Sequence, residues 1–145
     1  MAYAKGTAVP VSRSIDEIRS MLLKAGATRY AYGEDPDQAA VQFELDGRHY
    51  RFAVRRPTEA DVPRQVYRVP PAALIDAEWR RRWRARVLWI KAQIEFAEVE
   101  PVAFHEAMLA HLVLPDGRTL GRWADPQIAG MYERGGMPPL LGDGR

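Results

Sequence analysis

Between positions 80 and 86 the chain reads Arg80-Arg81-Arg82-Trp83-Arg84-Ala85-Arg86, five arginines in seven residues. Guanidinium groups are planar forks that match phosphate oxygens, so a cluster of them suits a nucleic-acid backbone. Helical spacing brings Arg80, Arg84 and Lys91 to one side of a helix. Arg51 and Arg55, on a preceding strand, would extend that patch. Trp89 or Tyr67, if exposed, would stack on bases. The candidate nucleic-acid-binding set is therefore Arg51, Arg55, Arg80, Arg81, Arg84 and Lys91. The competing explanation is internal. The same arginines would pair with Glu95, Glu98, Glu106 and the acidic tail, or spread over a solvated face.

Other chemistry finds little footing. His105 and His111 are six positions apart, which separates them around a helix, and His49 sits on a strand. The carboxylates near them in sequence are Glu106 and Asp116, and no His-x-x-x-His spacing occurs. His111 falls on an apolar stripe, the position of a half-buried core residue. The chain has no cysteine, which excludes disulfides, thiolate metal sites and cysteine nucleophiles. No glycine-rich phosphate loop leads into Lys-Ser or Lys-Thr, and no serine has a nucleophile-elbow context. Asp35 with Asp37, and Asp16 with Glu17, are explained by a turn and a helix start. No catalytic residue, metal ligand or cofactor is expected.

The elements that must position these residues follow from periodicity and punctuation. Ser14 and Glu17 form a capping box, so a first helix begins there; Ile15, Ile18, Leu22 and Ala25 make its apolar stripe, and Gly26 ends it. A short strand over Thr28–Tyr32 precedes a turn at Gly33 to Asp37. Val41, Phe43 and Leu45 alternate with polar residues, Asp46-Gly47 supplies a two-residue type I′ turn, and Tyr50, Phe52 and Val54 alternate again. That hairpin puts Phe43 opposite Tyr50 and Val41 opposite Phe52 on one face, with Glu44 opposite His49 and Gln42 opposite Arg51 on the other.

Four prolines (Pro57, Pro63, Pro70 and Pro71) mark a long irregular connection, which is either a functional or mobile loop or an extended segment wrapping the sheet edge through Val66 and Val69. A long helix follows from about Ala72 to Val99, its stripe made by Trp79, Trp83, Val87, Ile90, Ile94 and Ala97. Trp89 and Phe96 form a second arc. Pro101 is read as the first residue of a third helix, and Leu114 to Gly117 as a turn closing on Thr119 and Leu120. Asp125 as N-cap, Pro126 as first residue and Gly135 as terminator bracket a last helix.

The expected fold is α+β: a helix, a three-stranded antiparallel sheet, a long central helix, then short C-terminal helices. Double-stranded-RNA-binding domains share the helix–three strands–helix order, but their basic helix-start motif is absent, so the likeness is topological. At 145 residues, 47% hydrophobic and 28% charged, the chain suits one domain, with a loose arm over 1–11 and an extended tail over 136–145. The net charge of +2 conceals blocks of −2 (1–47), +8 (48–91) and −4 (92–145). A basic centre between acidic flanks either attracts phosphate or pairs with its flanks. No apolar run approaches the ~20 residues of a membrane span, and Met1 to Gly6 lacks a signal peptide's apolar stretch. The expectation is a cytoplasmic protein without membrane contact.

Several stretches together resemble small bacteriophage- and prophage-encoded proteins of uncharacterised role. They are Ser14-Ile15-Asp16-Glu17-Ile18, Gly26-Ala27, Val41-Gln42-Phe43, Arg51-Phe52, Arg82-Trp83-Arg84-Ala85, Ile90-Lys91-Ala92, Leu114-Pro115-Asp116-Gly117-Arg118-Thr119 and Met137-Pro138-Pro139-Leu140-Leu141. The resemblance implies a phage-related origin and a setting inside the host cell; it brings no activity or catalytic residues. The leading expectation is an accessory protein that binds nucleic acid through the arginine patch. The alternative is a module that binds a host or phage protein through its tryptophans and Pro-rich tail. A small enzyme comes third.

Overall fold

Alternation of apolar and polar residues from Gln38 to Arg55 becomes the centre of the fold. The computed structural model describes residues 7–63 and 69–137. Val66, Tyr67 and nearly all of the tail lie outside the described residues. Strands β1 (Arg29–Glu34), β2 (Gln38–Leu45) and β3 (Arg48–Arg55) form an antiparallel meander in the order β1-β2-β3. Asp46 (φ 52°) and Gly47 (φ 74°) both take the left-handed conformation that a type I′ turn demands. The register follows: Phe43 meets Tyr50, Val41 meets Phe52, Glu44 meets His49 and Gln42 meets Arg51. β1 runs two residues further than the sequence suggests, taking in Gly33 and Glu34. The turn after it is tight because the Asp35 carboxylate accepts the N–H groups of Asp37 (2.7 Å) and Gln38 (2.9 Å). Those bonds hold the Asp35 carboxyl below its ordinary range.

One face of the sheet is buried through Ala39, Val41, Phe43, Leu45, Tyr50, Phe52 and Val54. Two long helices cover most of it, and Phe104 closes on Phe43 and Tyr50. Helix α1 (Val11–Lys24) contributes Ile18 and Leu22, and α2 (Pro71–Val99) contributes Trp83, Val87 and Ile90, with Trp79 and Ile94 partly buried alongside. The tryptophan stripe therefore packs on the hairpin face as its spacing predicts, and α2 continues unbroken through Arg84. Trp89, on the second arc, meets Phe52 edge-on, whereas Phe96 is exposed.

Three helix starts differ from the sequence reading. Helix α1 begins at Val11 behind Pro10, so Val11 belongs to the helix rather than to a loose arm, and Ser14 is not its cap. Proline at the N-cap offers no side-chain acceptor, but its carbonyl receives the N–H groups of Arg13 and Ser14 at 3.1 and 3.2 Å. Pro101 lies ahead of the short α3 (Ala103–Ala107), since the Ala103 N–H closes a turn on the Glu100 carbonyl. The last helix, α4 (Leu120–Arg134), starts at Thr119, whose hydroxyl accepts the Arg122 N–H at 3.3 Å. Asp125 is consequently no cap and Pro126 stands in the helix interior. The turn between them does close: Leu114 N–H meets the Arg118 carbonyl at 2.8 Å, and Val113 bridges Thr119.

Ser14 is fully buried, and its hydroxyl has no partner among the described residues. A buried unpaired hydroxyl costs about 1–3 kcal/mol, and alanine is the better helix former. Ser14→Ala should therefore raise unfolding stability by about 1 kcal/mol or more in a urea titration, where loss of a cap would lower it by about 1 kcal/mol.

Candidate functional site

Strand β3 is a sheet edge, and its outward carbonyls belong to His49, Arg51, Ala53 and Arg55. Each is met. The His49 carbonyl accepts the Val113 N–H (2.8 Å), the Ala53 carbonyl accepts Arg86 Nη2 (3.1 Å), and the Arg55 carbonyl accepts Arg82 Nη1 (2.9 Å). The His111 ring bonds the backbone of Arg51. Two of the five arginines in the 80–86 run thus cap an edge strand. Arg86 also lies over the rings of Trp89 (4.5 Å) and Phe52 (5.1 Å), and burial lowers its pKa. Trp89 is accordingly half-buried between Phe52, Arg86 and His111, and presents no free ring for a base.

The six candidate cations do not form one patch. Odd-numbered residues of β3 point away from the helical layer, so Arg51 and Arg55 occupy the open face of the sheet. Arg51 Nη2 donates to the Gly117 carbonyl at 2.8 Å, and Arg55 pairs with Asp61 at 3.3 Å. Asp61 is shared with Arg82 at 3.6 Å, and the Thr58 N–H and hydroxyl hold its carboxyl below the ordinary range. Arg81 pairs with Glu78 at 3.1 Å, one helical turn back. Arg84 pairs with Glu17 of α1 at 2.9 Å, and Lys91 approaches Glu95 at 4.0 Å. Arg80 has no ion pair among the described residues. Among the described residues only Glu95 of the acidic partners expected from the sequence serves; Glu17, Asp61 and Glu78 supply the rest.

A groove of about 1050 Å³ runs between α1 and α2. Arg13, Arg84 and Lys91 line it together with Asp16 and Glu17, over a floor that includes Met21 and Leu88. Its charge is mixed, with cations in a slight excess.

One constellation was invisible in the sequence. His105 Nε2 lies 2.9 Å from Asp46 Oδ2, and its Nδ1 bonds the Tyr50 hydroxyl. Asp46 reads as a turn residue, and nothing local links it to a histidine 59 positions away. Both ring nitrogens are occupied and Tyr50 is fully buried, so the chain of bonds latches α3 to the hairpin turn rather than presenting a base. Burial pushes the Tyr50 phenol up, against the lowering effect of nearby Arg48. Among the described residues no group of three or more His, Asp or Glu is arranged to hold a metal ion.

The second unforeseen feature is apolar. Trp123 (41%), Ile128 (45%) and Tyr132 (86%) of α4 are exposed, and α4 has no buried residue. No described helix is long and apolar enough to cross a membrane. No protein-family model matches the chain, and neither does any curated protein or solved structure.

His111 gives a pH test of the edge cap. Burial first, and then Arg86, lower its pKa from 6.5, against the raising bond to Arg51. The folded state therefore favours the neutral ring. That contribution is whole above pH 6.5 and is lost as pH falls below 6.5 towards the depressed folded value, because the unfolded chain takes up the proton first. Stability measured from pH 7.5 to 5 should decline over that window, and His111→Gln should flatten the decline.

Proposed function

We propose that the protein is an interaction module whose partner protein completes α4. The observation that carries this reading is a 15-residue helix with no buried residue of its own. Isolated helices of that length are marginal in water even with favourable sequences. This one contains Pro126, which removes an internal hydrogen bond, and the weak helix formers Gly121 and Gly130. Its anchorage is narrow. The first turn sits on the 3-10 turn Leu109–His111, where a Cβ on Gly121 would lie 3.0 Å from the Ala110 carbonyl oxygen. Such a helix gains its stability by packing on something else, and its exposed Trp123 and Tyr132, on opposite sides of the helix, are of the types enriched in binding hot spots. The resemblance to phage-encoded proteins directs the search for that partner to host or phage complexes inside the bacterial cell.

Hydrogen exchange tests the premise. In the isolated protein the α4 amides should exchange within about tenfold of unstructured rates, while the amides of β2 and central α2 exchange only on global unfolding. Trp123→Ala with Tyr132→Ala should leave the melting temperature within about 2 °C and abolish partner retention. Protection of α4 equal to that of the core, with no partner present, would remove the reason for the reading.

A second reading keeps nucleic acid as the ligand, on the groove side of α2, because Arg13, Arg84 and Lys91 share one groove and Arg80 lies a turn before Arg84. Its mark is salt. Binding to DNA or RNA should fall steeply with ionic strength, and Arg80→Ala with Lys91→Ala should flatten the slope by about 2 units. Absence of binding at low salt sinks this second reading and leaves the first untouched.

A further inference from the structure

The carbonyls of the two sheet edges are treated oppositely. On β1 the bond from Asp35 N–H to the Gln38 carbonyl fixes the alternation, so Gly33 and Ala31 exchange hydrogen bonds with Ala40 and Gln42. The N–H and C=O groups of Tyr30, Tyr32 and Glu34 then face outward. Among the described residues none of these backbone groups has a partner. Exposed edges are ordinarily blunted by proline, lysine, a bulge or a covering segment. The strand Arg29-Tyr30-Ala31-Tyr32-Gly33-Glu34 carries neither proline nor lysine, and its pairing with β2 runs without a bulge from Arg29 to Glu34.

We propose that β1 pairs antiparallel with β1 of a second copy, joining two three-stranded sheets into one of six strands across a twofold axis. Charge selects this occupant. The strand begins with a cation, Arg29, and leads into two anions, Glu34 and Asp35, so an antiparallel copy of itself is its complement. Only outward residues can exchange bonds, which sets Tyr32 opposite Tyr32 on the axis and Tyr30 opposite Glu34 of the second copy. Ala31 then faces Gly33, leaving the open face free of clashes. Arg29 faces Asp35 of the second copy, twice by symmetry. Both charges are available. Asp35 is held ionised by its turn, while the Arg29 side chain is 84% exposed with only a 3.8 Å contact to Glu44. A register shifted by one bonded pair would set Arg29 against Gly33 in one direction; in the other it would set Arg29 against Asp37, past the end of β1.

The test is sedimentation of the full chain across a concentration series, with far-UV circular dichroism to confirm folding. A concentration-dependent dimer is expected. Arg29→Glu, at an exposed position, should raise its dissociation constant about tenfold by setting like charges face to face twice. Tyr32→Pro removes the N–H that would donate to the Tyr32 carbonyl of the second copy and should leave only monomer. Ile128→Asp, on α4, should leave the dimer unchanged. A protein monomeric at every concentration overturns the proposal. So does a dimer that Arg29→Glu leaves intact, or one that Ile128→Asp dissolves, since that would place the contact on α4.

Discussion

The outward carbonyls of an edge strand have no ladder partner and must be met by water or by another part of the chain, a protein hydrogen bond contributing about 0.5–1.5 kcal/mol net. On β3 this requirement is met from two directions. Arg82 and Arg86 reach it from α2, and His111 and Val113 reach it from the segment after α3. The arrangement fixes the rotation of α2, because Trp83, Val87 and Ile90 must face the sheet while Arg82 and Arg86 lie along its edge. It also determines where the C-terminal part of the chain can sit. The bridge from Tyr50 to Leu112 holds that segment against the sheet, and α4 departs from the turn that follows.

The same requirement explains the charge distribution. The arginine run lies two to four turns inside a helix that begins at Pro71, beyond the reach of the helix N-terminus, so the macrodipole neither favours nor opposes it. Within it, Arg82 and Arg86 cap the strand, Arg81 and Arg82 share Glu78, and Arg84 ties α2 to α1 through Glu17. Four of the five arginines in the run, Arg81, Arg82, Arg84 and Arg86, are therefore answered by nearby carboxylates and carbonyls. Phosphate would have to compete with those partners, and that favours the exposed apolar residues of α4 as the interaction surface.

The hairpin was legible because its signals are local and agree: strict alternation, an Asp-Gly turn and β-branched or aromatic residues on one face. The tryptophan stripe was legible because a 29-residue helix repeats its pattern many times. Helix starts were not. A Ser-x-x-Glu spacing looks the same whether the serine caps the helix or is buried one turn inside it, and only the packing of Ser14 against the core decides. Pro126 misled for a related reason, since proline fits a first turn and here sits in an interior. As for the candidate site, residue types told that arginines would bind oxygen. They could not tell whose oxygen, because the Ala53 and Arg55 carbonyls lie roughly 30 positions away and become neighbours of Arg86 and Arg82 only through the fold.

The meander has a bearing on how the molecule is made. Strands β1, β2 and β3 pair strictly in chain order through short turns, so the sheet consists of local contacts that close quickly. Its caps are distant: Arg82 follows Arg55 by 27 residues, and Val113 follows His49 by 64. On a ribosome adding about 5–20 residues each second, β3 leaves the exit tunnel seconds before its second cap does. For that interval the nascent sheet has two open edges instead of one. The long helix α2, arriving next with its apolar stripe and its arginines, is the first element able to shield the growing chain from its neighbours.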